Sequence, residues 1–416
     1  MKYLILGAGP AGLSLANRLL QTGIEDFLVI EKEKEAGGLC RSREADGSPL
    51  DIGGGHFLDV KNRRVLDFLF PFMPEAMWDE YDRDSRIVVG NNTINSPIEA
   101  NIWQMSLNDQ VEYLKSIAVA GCNLGKEMPE KFVDWIYWKL GDKIAEDYMI
   151  PYNRKMFGEN LNELGTYWLN KLPNVSFEET LISCLERKAY GTQPGHARFF
   201  YPKEYGYGEI WLRLAERLGD RIRYGEGAEK LDVDNCIVND TYKADCIVNT
   251  VPWTDIKEYK GVSEEYLKDI EALKYTSVVI EYIGEKLDTK AHWIYYPDPG
   301  LSYHRILVRH NFCPGSKGYW TETNLTRYDK IDKSASVSNN SESSDPLTGI
   351  SDKGRYYINE YAYPLNTIGK EEIMQHLLAF MKGRNIIGLG RWGEWQHYNS
   401  DVVVDRALTL ADELSR

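Results

Sequence analysis

The spacing of apolar residues over the first sixty positions predicts a strand, a helix and a second strand. Tyr3–Leu6 and Phe27–Ile30 are short, continuous apolar runs of the kind found in strands buried on both faces. Between them, Ala11–Gln21 repeats its apolar residues at helical spacing. This order predicts a β-α-β unit at the start of the chain.

Further along the chain the pattern changes twice. Apolar residues recur at helical spacing over residues 94–172 and predict a separate set of helices. Residues 220–252 return to strand-like runs, and residues 275–320 alternate in the manner of antiparallel strands. Near the end, residues 386–388 predict a strand and residues 402–414 predict a helix.

The acidic composition limits the kinds of ligand that the chain can attract. The 49 basic and 63 acidic residues give a net charge of −14, which repels polyanions, so no nucleic-acid partner is expected. A small anionic substrate would need a local basic pocket. No apolar run approaches the ~20 residues that cross a bilayer, and Met1 and Lys2 lead straight into the first strand. We therefore expect a cytoplasmic protein without a membrane span; its oligomeric state stays open.

A glycine motif lies between the first predicted strand and the first predicted helix. Gly7, Gly9 and Gly12 form the pattern GxGxxG, and Glu31 ends the next strand about 20 residues later. In this context Gly7 permits a tight turn, Gly9 lets the backbone approach a pyrophosphate, and Gly12 lets the helix pack on the strand. Glu31 can accept hydrogen bonds from a ribose. The motif predicts a Rossmann-like dinucleotide site.

Three further segments favour FAD over NAD as the dinucleotide. Gly38 and Arg41 follow Glu31 in a second glycine motif, which offers backbone N–H groups and a guanidinium to the pyrophosphate. Arg41 could instead be a solvated surface charge. The segments Ala244–Pro252 and Gly388–Arg391 resemble the later FAD-binding segments of flavoproteins. No metal site is predicted.

These segments predict an α/β protein with a discontinuous first domain. We assign residues 1–93, 205–270 and 380–416 to a Rossmann-like FAD-binding domain. We assign residues 94–172 to a helical domain. The remaining segments, 173–204 and 271–379, form an antiparallel-sheet substrate domain in this prediction.

A histidine-containing glycine loop resembles one particular flavoprotein family. Asp51–Phe57 reads DIGGGHF and is similar to the Gly-Gly-His loop of the UDP-galactopyranose mutases, which belong to the amine oxidase-like flavoproteins. Four more blocks resemble the eukaryotic-type members in order and spacing. These blocks are Phe132–Phe157, Tyr201–Trp211, Trp293–Pro314 and Gly390–Asp401.

The resemblance implies an isomerase that uses FAD without net oxidation. In this family, N5 of reduced FAD attacks the anomeric carbon of a nucleotide-diphosphate hexose of the UDP-galactopyranose/galactofuranose type. Such a site needs cations for the diphosphate, aromatic side chains and a dry flavin. The expected partner of this chain is therefore a small nucleotide-sugar.

The matched blocks carry the family's functional positions onto this chain. The implied catalytic residues are His56, Arg305 and Tyr363. The implied cofactor-binding residues, beyond those of the two glycine motifs, are Gly55, His56, Gly390, Arg391 and Asp401. The implied substrate-binding residues are Asn101, Trp168, Lys171, Trp293, Tyr295, Arg305, Tyr363 and His397. Arg305 could also be an exposed strand arginine, and single tyrosines could be structural.

Several departures from the family pattern leave the substrate open. Leu172 stands where a second diphosphate-binding arginine is expected, with Lys171 beside it, and lysine lacks the planar fork of arginine. His397 replaces a tyrosine, and it could donate a hydrogen bond or be an ordinary buried histidine. The alternatives to a mutase are a redox flavoenzyme of the amine oxidase or desaturase type, and a flavin-binding protein without catalytic activity.

Overall fold

The structure is a computed structural model that describes residues 1–123, 125–169, 176–190, 197–328, 348–351 and 354–416. Lys171, Leu172 and the polar segment 334–344, which the sequence predicts to be a mobile loop, lie outside the described residues.

Strands and short helices alternate in the first half of the chain. In order, the elements are β1 (Tyr3–Leu6), α1 (Pro10–Gln21), β2 (Phe27–Glu31), β3 (Ser42–Ala45), β4 (Ser48–Asp51), β5 (Leu58–Asp59), α2 (Arg63–Leu69), β6 (Trp78–Asp82), β7 (Ser85–Val89), β8 (Asn92–Asn95), α3 (Ile98–Asn101), α4 (Leu107–Gly121), α5 (Phe132–Ile144), α6 (Ile150–Phe157), α7 (Phe177–Glu186) and β9 (Arg198–Pro202).

Strands dominate the second half. In order, the elements are α8 (Gly208–Leu218), β10 (Ile222–Tyr224), β11 (Lys230–Asp232), β12 (Ile237–Val238), β13 (Tyr242–Lys243), β14 (Cys246–Asn249), β15 (Glu258–Lys260), α9 (Glu264–Ala272), β16 (Tyr275–Ile283), β17 (Trp293–Tyr295), β18 (Arg305–Leu307), β19 (Tyr319–Asn324), β20 (Thr348–Ser351), β21 (Gly354–Pro364), α10 (Lys370–Lys382), β22 (Ile386–Gly388), α11 (Gly390–Gly393) and α12 (Ser400–Leu414).

A parallel sheet forms the base of the dinucleotide-binding region. Its strand order is β10-β2-β1-β14-β22, and every neighbouring pair is parallel. The predicted β-α-β unit is confirmed by β1, α1 and β2. The predicted strand Cys246–Val251 ends early, at Asn249, because the Asn249 side chain bonds the backbone of Val251 and turns the chain ahead of Pro252. The carboxyl ends of β1, β2 and β14 therefore meet at one edge.

A second, larger sheet has the order β20-β21-β16-β19-β18-β17-β7-β8. The pairs are antiparallel, as the alternating pattern predicts, except that β17 runs parallel to β7. Tyr295 lies opposite Arg305, and Arg305 lies opposite Glu322. Because paired residues point to the same face, this register places all three side chains on one side of the sheet.

Helix α3 contacts β8 and helix α6 contacts β19 of the larger sheet, while α4 and α5 pack against each other. The helical pattern is confirmed over these elements, although Ile94 lies in β8 rather than in a helix. Lys155 on α6 is fully buried and donates to the carbonyls of Tyr296 and Asp298, at 2.7 and 2.8 Å. This anchor fixes Met156 against the sheet. Over the described ranges, no helix has the length and apolar character that a membrane crossing requires.

Candidate FAD and substrate sites

A long cleft follows the carboxyl edge of the parallel sheet. The space between its walls, including the part open to solvent, is about 1610 Å³. Its lining contains most of the predicted cofactor-binding residues: Gly7, Gly9, Glu31, Gly38, Arg41, His56 and Arg391. The turn that follows β14, Thr250 to Pro252, completes one wall. The cleft thus gathers segments that are more than 300 positions apart in the sequence.

Glycine is required at the turn that opens the cleft. Gly7 has a φ of +98°, and a Cβ there would lie 2.8 Å from Oγ1 of Thr250. A Cβ on Gly12 would lie 2.0 Å from the Gly7 carbonyl oxygen, so only glycine lets α1 pack this closely. At Gly9 the nearest atom to such a Cβ is 3.9 Å away. Space therefore remains in front of Gly9, where the motif expects a pyrophosphate.

Glu31 lies at the carboxyl end of β2 with its carboxylate turned back into the glycine loop. It accepts hydrogen bonds from the backbone N–H groups of Ala8, at 2.7 Å, and Glu33, at 2.9 Å. Burial raises its pKa despite these bonds. Glu31 thus stabilises the turn as well as lining the cleft.

Arg41 carries a buried donor that the described residues leave without a hydrogen bond. Its Nε donates to the Gly38 carbonyl at 2.9 Å, whereas Nη1 lies 3.7 Å from Glu33 and 3.8 Å from Glu35, beyond bonding distance. The residue is only 7% exposed, so it is not a solvated surface arginine. A buried guanidinium donor beside a helix N-terminus fits a dinucleotide pyrophosphate.

A second cavity lies between this cleft and the larger sheet. Its volume, including the part open to solvent, is about 970 Å³. It is lined by the predicted residues Gly55, His56, Trp293, Arg305, Tyr363, Arg391 and His397. It shares His56, Arg391 and Ser400 with the cleft. The two cavities therefore meet at the histidine loop, where the resemblance places the reactive end of FAD.

The second cavity is positively charged in a protein that is acidic as a whole. Arg83, Arg305 and Arg391 line it, and its described lining contains neither aspartate nor glutamate. Such a concentration of one charge attracts an anionic ligand locally, although the net charge of the chain is −14. This is the basic pocket that the composition requires for an anionic substrate.

Arg305 is held by a buried carboxylate. Its Nε donates to Oε2 of Glu322 at 2.7 Å, and Nη2 donates to the Tyr363 hydroxyl at 3.1 Å. Burial opposes the charge on Glu322, but the attraction of Arg305, together with the hydrogen bonds and charge of its neighbours Arg305 and His304, lowers the Glu322 pKa to about 2. Glu322 also accepts from the Gly55 N–H at 3.3 Å. One carboxylate therefore orients Arg305 and contacts the histidine loop.

His56 lies between the two cavities in its neutral form. Burial and the nearby Arg391 lower its pKa to about 4. Its Nδ1 lies 3.0 Å from the Gly54 carbonyl oxygen. Because a carbonyl oxygen only accepts hydrogen bonds, Nδ1 must carry the ring proton and donate it. Nε2 is consequently the acceptor nitrogen of this ring.

Arg391 and the carboxyl-terminal predicted residues form the opposite wall. The Arg391 guanidinium donates to the carbonyls of Ala362 and Tyr398 at 2.8–3.1 Å, which ties this wall to β21. The His397 ring centroid lies 4.9 Å from that of Tyr363. Asp401 is buried in the first turn of α12, immediately after Ser400.

Other predicted residues do not line the second cavity. Asn101 is buried and donates to the Pro97 carbonyl at 2.9 Å. Trp168 packs on Phe132, with ring centroids 5.1 Å apart, and donates to the Gly165 carbonyl. Tyr295 reaches the site only through its hydroxyl, which accepts a hydrogen bond from Arg83 at 2.7 Å.

Sequence reasoning missed two charged residues of the site. Arg83 lies between β6 and β7, where no motif marks it. Glu322 lies in the strand segment TETN, and alternation predicts that its side chain shares a face with Trp320. A carboxylate on the buried face of a strand needs a partner, and that requirement was the one signal that could have identified Glu322.

Comparison with known proteins bears on the fold of the chain. Residues 5–70 match the family model NAD_binding_8, an NAD(P)-binding Rossmann-like domain. A protein of Methanothermococcus thermolithotrophicus, described as an uncharacterized protein in the nifH2 3' region, is 49% identical over 109 residues. These residues are 25% of this chain and 98% of that protein.

Solved structures extend the likeness to the whole chain. A crystal structure of reduced UDP-galactopyranose mutase covers 99% of this chain and 93% of its own, with a TM-score of 0.85 and 22% identity. A putative protoporphyrinogen oxidase from Exiguobacterium sp. 255-15 covers 100% and 98%, with a TM-score of 0.68 and 12% identity. The resemblance predicted from the sequence is thereby confirmed for the fold. The chain belongs to the same family as the Methanothermococcus protein and has the fold of UDP-galactopyranose mutase.

Proposed function

We propose that this protein is a FAD-dependent sugar-nucleotide mutase that interconverts ring forms of a nucleotide-diphosphate hexose of the UDP-galactose type without net oxidation. The observation that carries the proposal is the arginine-lined cavity that opens onto the dinucleotide cleft at His56 and Arg391. A diphosphate in the cavity would place an attached sugar next to the histidine loop.

The cleft residues would hold the cofactor. The backbone around Gly9 and the guanidinium of Arg41 would bind the pyrophosphate of FAD, and Glu31 would accept from its ribose. When bound and reduced, FAD would supply the nucleophilic N5 for the anomeric carbon. His56 and Arg391 would border the flavin ring and separate it from bulk water.

Arg305 would bind the diphosphate of the substrate. Two of its nitrogens are fixed by Glu322 and Tyr363, and Nη1 has no hydrogen-bond partner among the described residues. A charge-assisted hydrogen bond to phosphate contributes about 1.5–3 kcal/mol. Because Glu322 prevents the guanidinium from rotating, little side-chain entropy is lost when the phosphate binds.

A redox oxidoreductase is the second candidate, and one observation supports it. The protoporphyrinogen oxidase likeness shows that the same fold carries redox enzymes as well. The charge of the cavity argues against an amine oxidase, because three arginines repel a cationic amine.

The two candidates differ in what the reduced protein does. We expect dithionite-reduced, FAD-loaded protein to convert UDP-galactofuranose to UDP-galactopyranose, measured by anion-exchange chromatography, and the oxidised protein to be inactive. The reduced protein could instead turn over neither ring form, while an organic donor bleaches the flavin of the oxidised protein without nucleotide. Those two results together would support the oxidoreductase over the mutase.

A further inference from the structure

Arg83 is a second arginine on the side of the larger sheet that carries Arg305. It lies two residues before Ser85, which pairs with Trp293 across β7 and β17. Ser85 therefore points to the same face as Trp293, and Arg83 lies in the short connection just before β7. The Arg83 guanidinium carbon lies 4.8 Å from the centroid of the Trp293 ring, and Arg83 lines the second cavity.

The contacts of Arg83 resemble those of Arg305. Arg83 Nη2 donates to the Tyr295 hydroxyl at 2.7 Å, and Nε donates to Oγ of Ser85 at 2.6 Å. Arg305 Nη2 donates to the Tyr363 hydroxyl at 3.1 Å. Since Tyr295 lies directly opposite Arg305 in the sheet register, the two arginine–tyrosine pairs are neighbours.

We infer that Arg83 is the second diphosphate-binding cation of this protein. It would take the role that the family resemblance assigns to an arginine at position 172, where this chain has leucine. The inference rests on the proposed function, because it concerns the same anionic ligand. Arg305 and Arg83 would each present a guanidinium edge to one side of the diphosphate, with the tyrosine hydroxyls between them. Lys171, the other candidate, is a point charge on a flexible stem.

A purely structural role for Arg83 makes a different prediction. If Arg83 served only to hold Trp293 and Tyr295 in place, its loss would weaken every ligand of the cavity. If it binds phosphate, its loss weakens ligands in proportion to their phosphate content. Arg86 provides a matched control, because it lies three residues away and pairs with Asp84 at 3.0 Å instead of lining the cavity.

Calorimetry on FAD-loaded, full-length protein separates these roles. We expect Arg83→Ala to weaken UDP binding at least tenfold and to leave uridine affinity within twofold of wild type. Arg83→Lys should restore only part of the UDP affinity, because lysine cannot make two parallel hydrogen bonds. Arg86→Ala should match wild type for both ligands.

Each other outcome has a defined meaning. Equal losses of UDP and uridine in Arg83→Ala would assign a structural role and overturn the inference. So would unchanged UDP binding in Arg83→Ala together with a loss in Lys171→Ala. In a third outcome, wild-type protein binds inorganic pyrophosphate but not UDP, and pyrophosphate binding is lost in Arg83→Ala. That result would contradict the proposed function and support the diphosphate contact of Arg83. Binding of neither ligand would overturn both.

Discussion

The dinucleotide cleft and the second cavity are built from different parts of the polypeptide. In the cleft, the contacts expected for the pyrophosphate come mostly from backbone N–H groups, at a turn that requires Gly7 and Gly12. In the cavity, the charges come from side chains such as Arg83 and Arg305, oriented by a tyrosine hydroxyl or a buried carboxylate. Ligand binding by the backbone is lost when a new side chain fills the space of the ligand. Ligand binding by charged side chains is lost when the groups that orient those side chains are removed.

The largest expected effect tests the buried carboxylate on which the cavity depends. Glu322→Gln should reduce the free energy of unfolding by about 3 kcal/mol, because it removes the buried partner of a largely buried ion pair and leaves Arg305 without its counter-charge. Urea unfolding measures it. Glu80→Gln is the control, since Glu80 pairs with Arg198 at the surface and should change stability by under about 1 kcal/mol. Equal losses of unfolding free energy in the two variants would show that burial does not increase the contribution of the Glu322–Arg305 pair to stability.

The next effect tests the backbone character of the cleft. Gly9→Ala should leave the melting temperature of FAD-free protein unchanged, since a Cβ there meets nothing closer than 3.9 Å. It should weaken FAD binding about a hundredfold, or about 2.7 kcal/mol, by occupying the space in front of the turn. Fluorescence titration with FAD measures the loss. Gly12→Ala should instead destabilise the FAD-free protein, because its Cβ would lie 2.0 Å from the Gly7 carbonyl oxygen.

A smaller effect is expected for a single charge of the cavity. Arg305→Ala should weaken UDP binding at least tenfold, about 1.4 kcal/mol, while FAD affinity stays unchanged because Arg305 does not line the cleft. Calorimetry with each ligand provides the comparison. Unchanged UDP affinity would refute the placement of the diphosphate beside Arg305.

The smallest effect concerns pH. Because the Glu322 pKa is lowered to about 2 in the folded protein, from about 4.3 when unfolded, its ionised form stabilises the fold above the unfolded value. This contribution is lost as the pH falls towards 2. The stability difference between wild type and Glu322→Gln should stay constant from pH 8 to pH 6 and narrow by under about 1 kcal/mol between pH 5 and pH 4. A difference that widened on acidification would contradict the assigned ionisation.

The sequence predicted the cleft better than the cavity for a physical reason. The glycine motif is contiguous, and its requirements are local, so Gly7, Gly9 and Gly12 could be assigned from one segment. Arg305 and Tyr363 were predicted only through resemblance to a family. Glu322 and the residues that Arg83 contacts, Trp293 and Tyr295, depend on sheet register, since three strand pairings decide which side chains share a face. The domain boundaries and the role of Lys171 remain predictions.

The wall common to the two cavities has a practical consequence for measurements on this protein. His56, Arg391 and Ser400 border both spaces, so a flavin lying against them would itself become one side of the chamber for the sugar-nucleotide. Chains purified without their flavin would then present an incomplete chamber. The number of nucleotide sites measured per chain should therefore follow the flavin occupancy of the preparation, while the dissociation constant of the loaded chains stays unchanged.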